Sequence, residues 1–352
     1  MDLSKYKVID RELIRISKKV GTLRYLEASN SQEQKRKFFN NKIRNPIFRY
    51  LLPPYNTKLI TSDLNKIKCS KDRIGTLYKG AIEKLKIKNE IIENINKKKF
   101  VIKKSTILYG KPKNKIVKLA NKILKSKGSI INKGNNKILT STQTREEIEK
   151  YLKKLKIKNW IVLERNQHSV SVSPVNKCIK VGRFKKYDSF EIKKLIIHEI
   201  KGHVYRALNG NMQPLKIFVS GLPNYISTEE GIATYLEEKY GLLDIQSKKR
   251  YALRVMAVDL VYKGADFREC FEKVSEYEED RDYCWETTYR VFRGGGYLKD
   301  HIYLEGYLKV KKFIQNGGNL NDLYIGKVGL EHLPIVEELQ KANILIAPKY
   351  TP

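Results

Sequence analysis

The stretch Asp188–Leu208, DSFEIKKLIIHEIKGHVYRAL, places two imidazoles and a carboxylate on what reads as one long helix. Asp188 with Glu191 three residues on is a capping box, in which each side chain satisfies a backbone N–H that the first turn leaves open. Phe190, Leu195, Ile196 and Val204 supply apolar positions for a buried face. Inside the helix His198, Glu199 and His203 form HExxxH, one residue longer than the HExxH of the best-known zinc peptidases. On a regular helix, positions five apart differ by about 140° around the axis and positions four apart by about 40°, so two such imidazoles do not readily share a metal. A local π-bulge absorbs one residue and returns them to one face. Gly202 lowers the steric cost of that distortion. The spacing therefore predicts an irregular turn between His198 and His203. The plain alternative is two histidines brought near one another by chance, with Glu199 a solvated charge.

Downstream, Ser227–Glu237 reads as a second helix, STEEGIATYLE. A Glu in its first turn, Glu230, is where zinc peptidases with a two-His-one-Glu donor set take their third ligand. Ser227 and Glu230 also have capping-box spacing, and a ligand can cap as well. Glu237, two turns after Glu230, is placed to orient a ligand imidazole from behind.

Several ordered motifs accompany this pair of helices: HEIKGH at His198–His203, NGNMQPL at Asn209–Leu215, GLPNY at Gly221–Tyr225, EEGIATYLEE at Glu229–Glu238 and YRVFRGGGYLKDHIYLEGY at Tyr289–Tyr307. Together they resemble the microtubule-associated tyrosine carboxypeptidase family, whose bacterial relatives carry a QEGLA motif, and the resemblance runs from about Asn45 onward. It implies that His198 and His203 are the metal-binding histidines, Glu199 the catalytic glutamate and Glu230 the glutamate of the EGLA-type motif. It further implies one Zn2+ per chain and removal of a C-terminal Tyr or Phe from a polypeptide. This sequence departs from the family pattern at two places. The glycine of the HExxxH segment is more often one place earlier, as HEIGTH, whereas here Lys201 precedes Gly202; and Glu229 and Ile232 stand where the QEGLA form has Gln and Leu.

The 352 residues, 41% of them hydrophobic, suffice for one large or two ordinary domains with a sizeable core. No apolar run approaches the roughly 20 residues that span a bilayer, and MDLSKYKVIDREL lacks the apolar core of a signal peptide, so a cytoplasmic protein with no membrane partner is expected. Cys69, Cys178, Cys270 and Cys284 are scattered without a CxxC pair and read as reduced, mostly buried thiols. Lys and Arg total 71 against 38 Asp and Glu, a formal charge of +33 that attracts polyanions. The excess is mostly Lys in company with Asn and Ile, a usage that an AT-rich genome produces without selection for binding. Runs such as Lys97–Lys99 and Lys111–Lys118 lack the Arg, Gly and aromatic interleaving of single-strand readers, so no dedicated nucleic-acid function is expected.

The expected fold is α+β and mainly helical, with a small sheet beside a zincin-like metal helix. Residues 1–140 read as a helical accessory region and 141–352 as the catalytic domain. Within the first, Asp10 to about Lys42 reads as two charged helices, Thr57 to about Lys97 has helical apolar spacing, and Phe100–Ile107 is short and β-prone. Thr144 with Glu147 makes a capping box for a helix to about Leu155. Trp160–Glu164, Ser169–Ser173 and Lys177–Gly182 read as strands. The last, delivered just before the metal helix, is either an edge strand that pairs with a substrate backbone or an ordinary sheet strand. Asn209–Asn211 reads as a helix end, and further helices follow at Asp244–Tyr262, Asp266–Tyr277, Asp280–Arg293, Lys299–Gln315 and Leu330–Leu339.

Two neutral imidazoles and a carboxylate leave an open position on zinc for water, and Glu199 is adjacent to a ligand and placed to take that water's proton. A carboxypeptidase also needs a cation for the terminal carboxylate and a donor for the oxyanion. From the family-like block, at least one of Arg290, Arg293 and Lys299 is expected to contact the substrate terminus, and Tyr303 to donate to the oxyanion; the alternative is solvated helix-face charges. Asp300 reads as a cap. Two other functions fit the sequence: endopeptidase or other hydrolase activity on the same fold, and a basic polyanion-binding or regulatory protein with an inactive site. The partner expected of the first reading is a polypeptide C-terminus, with an acidic tail favoured by the positive surface.

Overall fold

The computed structural model describes residues 3–127, 138–165, 170–183 and 186–352. It is mainly helical with one small sheet, as the α+β reading expects. By its contacts the chain divides into two discontinuous units, one of Met1–Ile14, Ser129–Asp244 and Gly306–Pro352, the other of Arg15–Gly128 and Ile245–Glu305. Residues 245–305, which the sequence reading placed with the catalytic half, thus group with the N-terminal part, and no single cut near residue 140 separates the two.

In the first unit the helix of interest starts where Asp188 accepts from the Glu191 N–H and Glu191 returns the bond to the Asp188 N–H. It runs as regular helix over Ser189–Leu195, as π-helix over Ile196–Val204 and as regular helix again over Tyr205–Met212. Asn209–Asn211 therefore lies inside the helix rather than ending it, because Asn209 is occupied in side-chain bonds to the backbone of Tyr324, Lys349 and Tyr350.

Three strands, β1 (Ile161–Arg165), β2 (Ser171–Ser173) and β3 (Cys178–Gly182), lie in the order β1-β3-β2. β3 runs parallel to β1, with Ile161 opposite Cys178, and antiparallel to β2, with Ser171 opposite Lys180. The strand delivered just before the metal helix is therefore central, with a neighbour on each side, and the edge-strand reading of it is corrected. Ser169, expected at the start of the second strand, lies outside the described residues. Ile179 and Val181 of β3 join Ile148 and Leu152, Ile197, Ile200 and Val204, and Ile232 and Leu236 in one hydrophobic core. The helix Ser141–Lys154 carries Ile148 and Leu152, and its cap is Thr140 with Gln143 rather than Thr144 with Glu147. Thr144 is instead buried in the first turn.

The second unit has its own core around Leu26, Ile87, Ile91, Val101, Leu108 and Tyr297. Here the β-prone Phe100–Ile107 stretch is overturned, since Lys98–Tyr109 is a helix. Its buried positions Val101, Ser105 and Leu108 recur at four and three residues, a helical face that outweighs local β preference. An aromatic cluster of Phe38, Phe267, Phe271 and Trp285 packs with centroids 4.8–5.4 Å apart. The helices Ile245–Tyr262, Phe267–Ser275 and Arg281–Phe292 match the expected spans closely. Cys178, Cys270 and Cys284 are buried and all four cysteines are free thiols.

One backbone approach in the first unit positions the candidate site. The helix Tyr225–Lys239 begins two residues before Ser227, with Asn224 as its cap. A Cβ placed on Gly231 would stand 2.3 Å from the Gly306 carbonyl, and one on Gly306 would stand 1.9 Å from the Ser227 carbonyl oxygen. The two helices thus touch backbone to backbone. Gly231→Ala should lower stability by about 1–3 kcal/mol, at the upper end because backbone rather than a flexible side chain must yield. Gly21→Ala, where nothing lies within 4 Å, is the control. Urea midpoints check it, and equal midpoints for both variants would refute the close-contact reading.

Candidate metal centre

The π-helix Ile196–Val204 contains all of HExxxH, and its end is marked by the Tyr205 N–H bonding the Ile200 carbonyl five residues back. The widened turn does what the five-residue spacing demands. The His198 and His203 rings stand 5.1 Å apart at 66°, and one donor atom from each of His198, Glu199 and His203 falls within 4.8 Å of the others. Gly202 serves a purpose other than backbone freedom: a Cβ there would lie 2.8 Å from the Ala233 Cβ, so glycine allows the π turn to press onto the Tyr225–Lys239 helix.

That helix brings Glu230, whose Oε2 lies 3.6 Å from His198 Nε2 and 3.7 Å from His203 Nε2. With metal–donor bonds of about 2.0–2.1 Å, two donors on a tetrahedral zinc stand about 3.3–3.5 Å apart, so these separations fit a common ion with slightly opened angles. Two imidazoles and a carboxylate also match the chemistry of a catalytic zinc donor set. Glu199 forms with the two histidines a group able to hold a metal ion, and Glu230 is a second carboxylate within reach of both rings. Glu230 is within 3.7 Å of both Nε2 atoms, the separation of donors on one ion. Glu230 does not cap its helix, since it lies in the second turn and its own carbonyl accepts from the Thr234 hydroxyl.

Behind each imidazole stands a second carboxylate. Glu237 Oε1 is 2.7 Å from His198 Nδ1, in the orienting position expected of it, and Glu237 Oε2 is 3.2 Å from Lys194 Nζ. Glu229 Oε2 is 3.6 Å from His203 Nδ1, and both Glu229 oxygens accept from Lys327 Nζ at 2.6 and 2.9 Å. Arg206, fully buried, lies 3.6 Å from Glu229 Oε1. Burial works to raise the Glu229 carboxyl, but Lys327, His203 and Arg206 hold it well below the usual range. Burial likewise opposes charge on Glu237, and His198 and Lys194 outweigh it. Burial also disfavours a charged His198, yet Glu230 and Glu237 push its pKa up to about 10. Glu199 has its carboxyl raised, by burial first, with His203 and His198 pulling the other way.

The remaining expected residues lie in the second unit. Arg290 holds Asp300 with two bonds, Nε–Oδ2 at 2.6 Å and Nη2–Oδ1 at 2.9 Å, so Asp300 is a buried ion-pair partner rather than a cap. Arg293 is buried against Glu27, with Nη1 3.0 Å from Oε1. Lys299 is buried, its Nζ 5.7 Å from the centre of the Tyr303 ring. Tyr303 stacks on Tyr251 at 5.8 Å and 10°, and the Arg254 guanidinium lies 4.5 Å from the Tyr303 ring centre. Among the described residues, Arg254 Nε is buried with no hydrogen-bond partner.

Sequence reasoning missed Arg254, Arg206 and Lys327. The first two look like ordinary helix charges. Lys327 is 98 residues from Glu229, and the only signal is a single cation in the apolar run around Ile325 and Val328.

The family model described as "Microtubule-associated tyrosine carboxypeptidase" matches residues 36–352. Microtubule-associated tyrosine carboxypeptidase 1 of Rattus norvegicus is 28% identical over 168 residues, 44% of this chain and 34% of that protein. "Putative tyrosine carboxypeptidase MATCAP2" of Mus musculus is 23% identical over 234 residues, 60% of this chain and 43% of that protein. The chain thus spans well under half the length of these relatives. A solved structure described as "a putative lipoprotein of unknown function" from Shewanella oneidensis overlays with a TM-score of 0.45 and 14% identity, over 80% of this chain and 69% of that one, a likeness that carries no argument.

The Arg290–Asp300 pair gives a pH prediction. Burial works to raise the Asp300 carboxyl, and Arg290 overrides it, so the folded pKa lies below the unfolded value of about 3.9. The pair's stability is therefore fully present above that value and is lost as pH falls through the folded pKa. Asp300→Asn should cost about 3 kcal/mol at pH 7, because Arg290 is left without its counter-charge, with only a 22% exposed side chain. The difference from the parent should shrink below about pH 4. A difference in urea midpoint that is the same at pH 7 and pH 3 would count against it.

Proposed function

Because the chain belongs to the microtubule-associated tyrosine carboxypeptidase family, we propose that it is a zinc-dependent carboxypeptidase removing a C-terminal Tyr or Phe from polypeptides. The observation that carries the reading is that Glu230 Oε2 lies 3.6 Å from His198 Nε2 and 3.7 Å from His203 Nε2, separations that suit a shared ion. His198, His203 and Glu230 would hold a single Zn2+, which when bound acidifies water toward a pKa of about 7 and polarises the scissile carbonyl.

The chain's own residues supply the rest. Glu199 follows a ligand directly and shares the cavity of both imidazoles, so it takes the proton from the attacking water and returns it to the leaving amine. A carboxyl raised by burial suits that two-way transfer, since it both accepts and releases a proton readily. Glu237 fixes the His198 ring by accepting at Nδ1, which keeps the Nε2 lone pair free for the metal. Tyr303 is the donor proposed for the oxyanion. For the terminal carboxylate, Arg290 and Arg293 already face Asp300 and Glu27. Lys299, beside the Tyr303 ring, completes the three cations proposed for that role. A formal charge of +33 favours acidic polypeptide tails as substrates. Among the described residues, no helix is long and apolar enough to cross a membrane.

Glu199→Gln should keep stoichiometric zinc and lose about 10²–10⁴ in kcat, measured by mass spectrometry on peptides with varied last residues, with chelator abolishing the parent's activity. Equal cleavage of C-terminally amidated peptides would instead favour an endopeptidase, and absence of any zinc would leave the basic binding protein.

A further inference from the structure

The loop that carries Lys327 is tied to the metal helix at several points. Arg206 Nε donates to the Leu323 carbonyl at 3.0 Å, Asn209 to the Tyr324 carbonyl at 2.7 Å and Gln213 to the Ile325 carbonyl at 3.2 Å. These donors lie three and four residues apart, on one face of the helix. The Tyr324 hydroxyl donates to the Lys201 carbonyl at 2.9 Å, inside the π turn itself. The Lys327 N–H donates to the Phe218 carbonyl at 2.7 Å, so the backbone at the cation is fixed too. The result is a Lys327 side chain 4% exposed, aimed at a Glu229 side chain 5% exposed.

A dry ion pair of this kind is a poor source of stability, because desolvating two charges offsets most of their attraction. Its position suggests another use. Glu229 and Glu230 are neighbours on one helix and bracket one ring: Glu229 Oε2 lies 3.6 Å from His203 Nδ1, and Glu230 Oε2 lies 3.7 Å from His203 Nε2. His198 has closer backing from Glu237, 2.7 Å from Nδ1 and itself paired with Lys194. We propose that Glu229 and Lys327 are positioning residues for His203: the Glu229 carboxylate, 3.6 Å from Nδ1, electrostatically favours the proton on that nitrogen, so that Nε2 presents its lone pair to the metal, and Lys327 together with Arg206 balances the carboxylate. The proposal rests on the zinc reading given above and adds to it which buried groups set how tightly zinc is held.

The test is the zinc affinity of the full chain by competition with a chromophoric chelator, alongside the urea midpoint of the metal-free protein. Glu229→Met/Lys327→Met removes both polar groups with little change of volume and should weaken zinc binding about 10–100-fold; Arg206 loses its carboxylate in this variant and in the Gln variant alike, so the metal-free midpoints of the two should match. Glu229→Gln/Lys327→Met keeps an acceptor oxygen for Nδ1 without a charge to balance, and should restore affinity to within about threefold of the parent. If the double Met variant fails to fold, Glu229→Leu/Lys327→Met takes its place with the same expectation. Parent-like affinity in the apolar variant, or a Gln variant no better than it, overturns the positioning pair alone. A parent chain that binds no zinc brings down the metal reading and this proposal together.

Discussion

Everything at the candidate centre depends on one register constraint: two imidazoles separated by five residues on a helix face one point only if the helix widens there. The chain meets it with nine residues of π-helix between two regular segments. The widening has structural consequences beyond the histidines. Gly202 brings the turn against Ala233, which places the Tyr225–Lys239 helix close enough for Glu230 to reach both Nε2 atoms. That helix can sit there because Gly231 allows contact with the Gly306 backbone on its other side. Two glycines on successive helices thus act as spacers, and the donor separations are a result of backbone packing rather than of side-chain reach.

The second constraint is charge. Glu199, Glu229, Glu230 and Glu237 converge on two histidines in a region largely closed to water. Carboxylates gathered in this way repel one another strongly at low dielectric unless cations compensate. Lys194, Lys327 and Arg206 compensate the outer pair, Glu237 and Glu229. The inner pair, Glu199 and Glu230, has the two imidazoles for company, and Glu230 and Glu237 favour positive charge on His198 against its burial. A bound dication would answer the same demand.

Local signals made much of this legible. The Asp188–Glu191 capping box, the HExxxH spacing that requires a π turn, and the placement of Glu237 two turns beyond Glu230 all act within a few residues or along one helix. What sequence could not show is non-local. Whether β3 lies at an edge is decided by strands on both sides of it. Lys98–Tyr109 is helical because its buried face is defined by partners elsewhere in its unit, and the division of the chain into discontinuous units follows from contacts between distant segments. Arg290 and Arg293 looked available in sequence, yet Asp300 and Glu27 hold them. Asn209–Asn211 read as a helix end, and Asn209, with Gln213 just beyond the helix, holds the C-terminal loop and tail.

Composition is the feature whose bearing on the centre is least direct. A charge of +33 describes a field spread over the surface, and at physiological salt such a field decays over about 8 Å. The centre has the opposite local character, with carboxylates a few ångströms from the imidazoles and little water between them to screen their effect. The two therefore act at different ranges: the surface charge is felt by whatever approaches, and the buried carboxylates act on groups within contact distance. A basic chain can accordingly contain a cation site without contradiction, because the groups that define that site lie within contact distance and are individually paired or aimed by the helices that carry them.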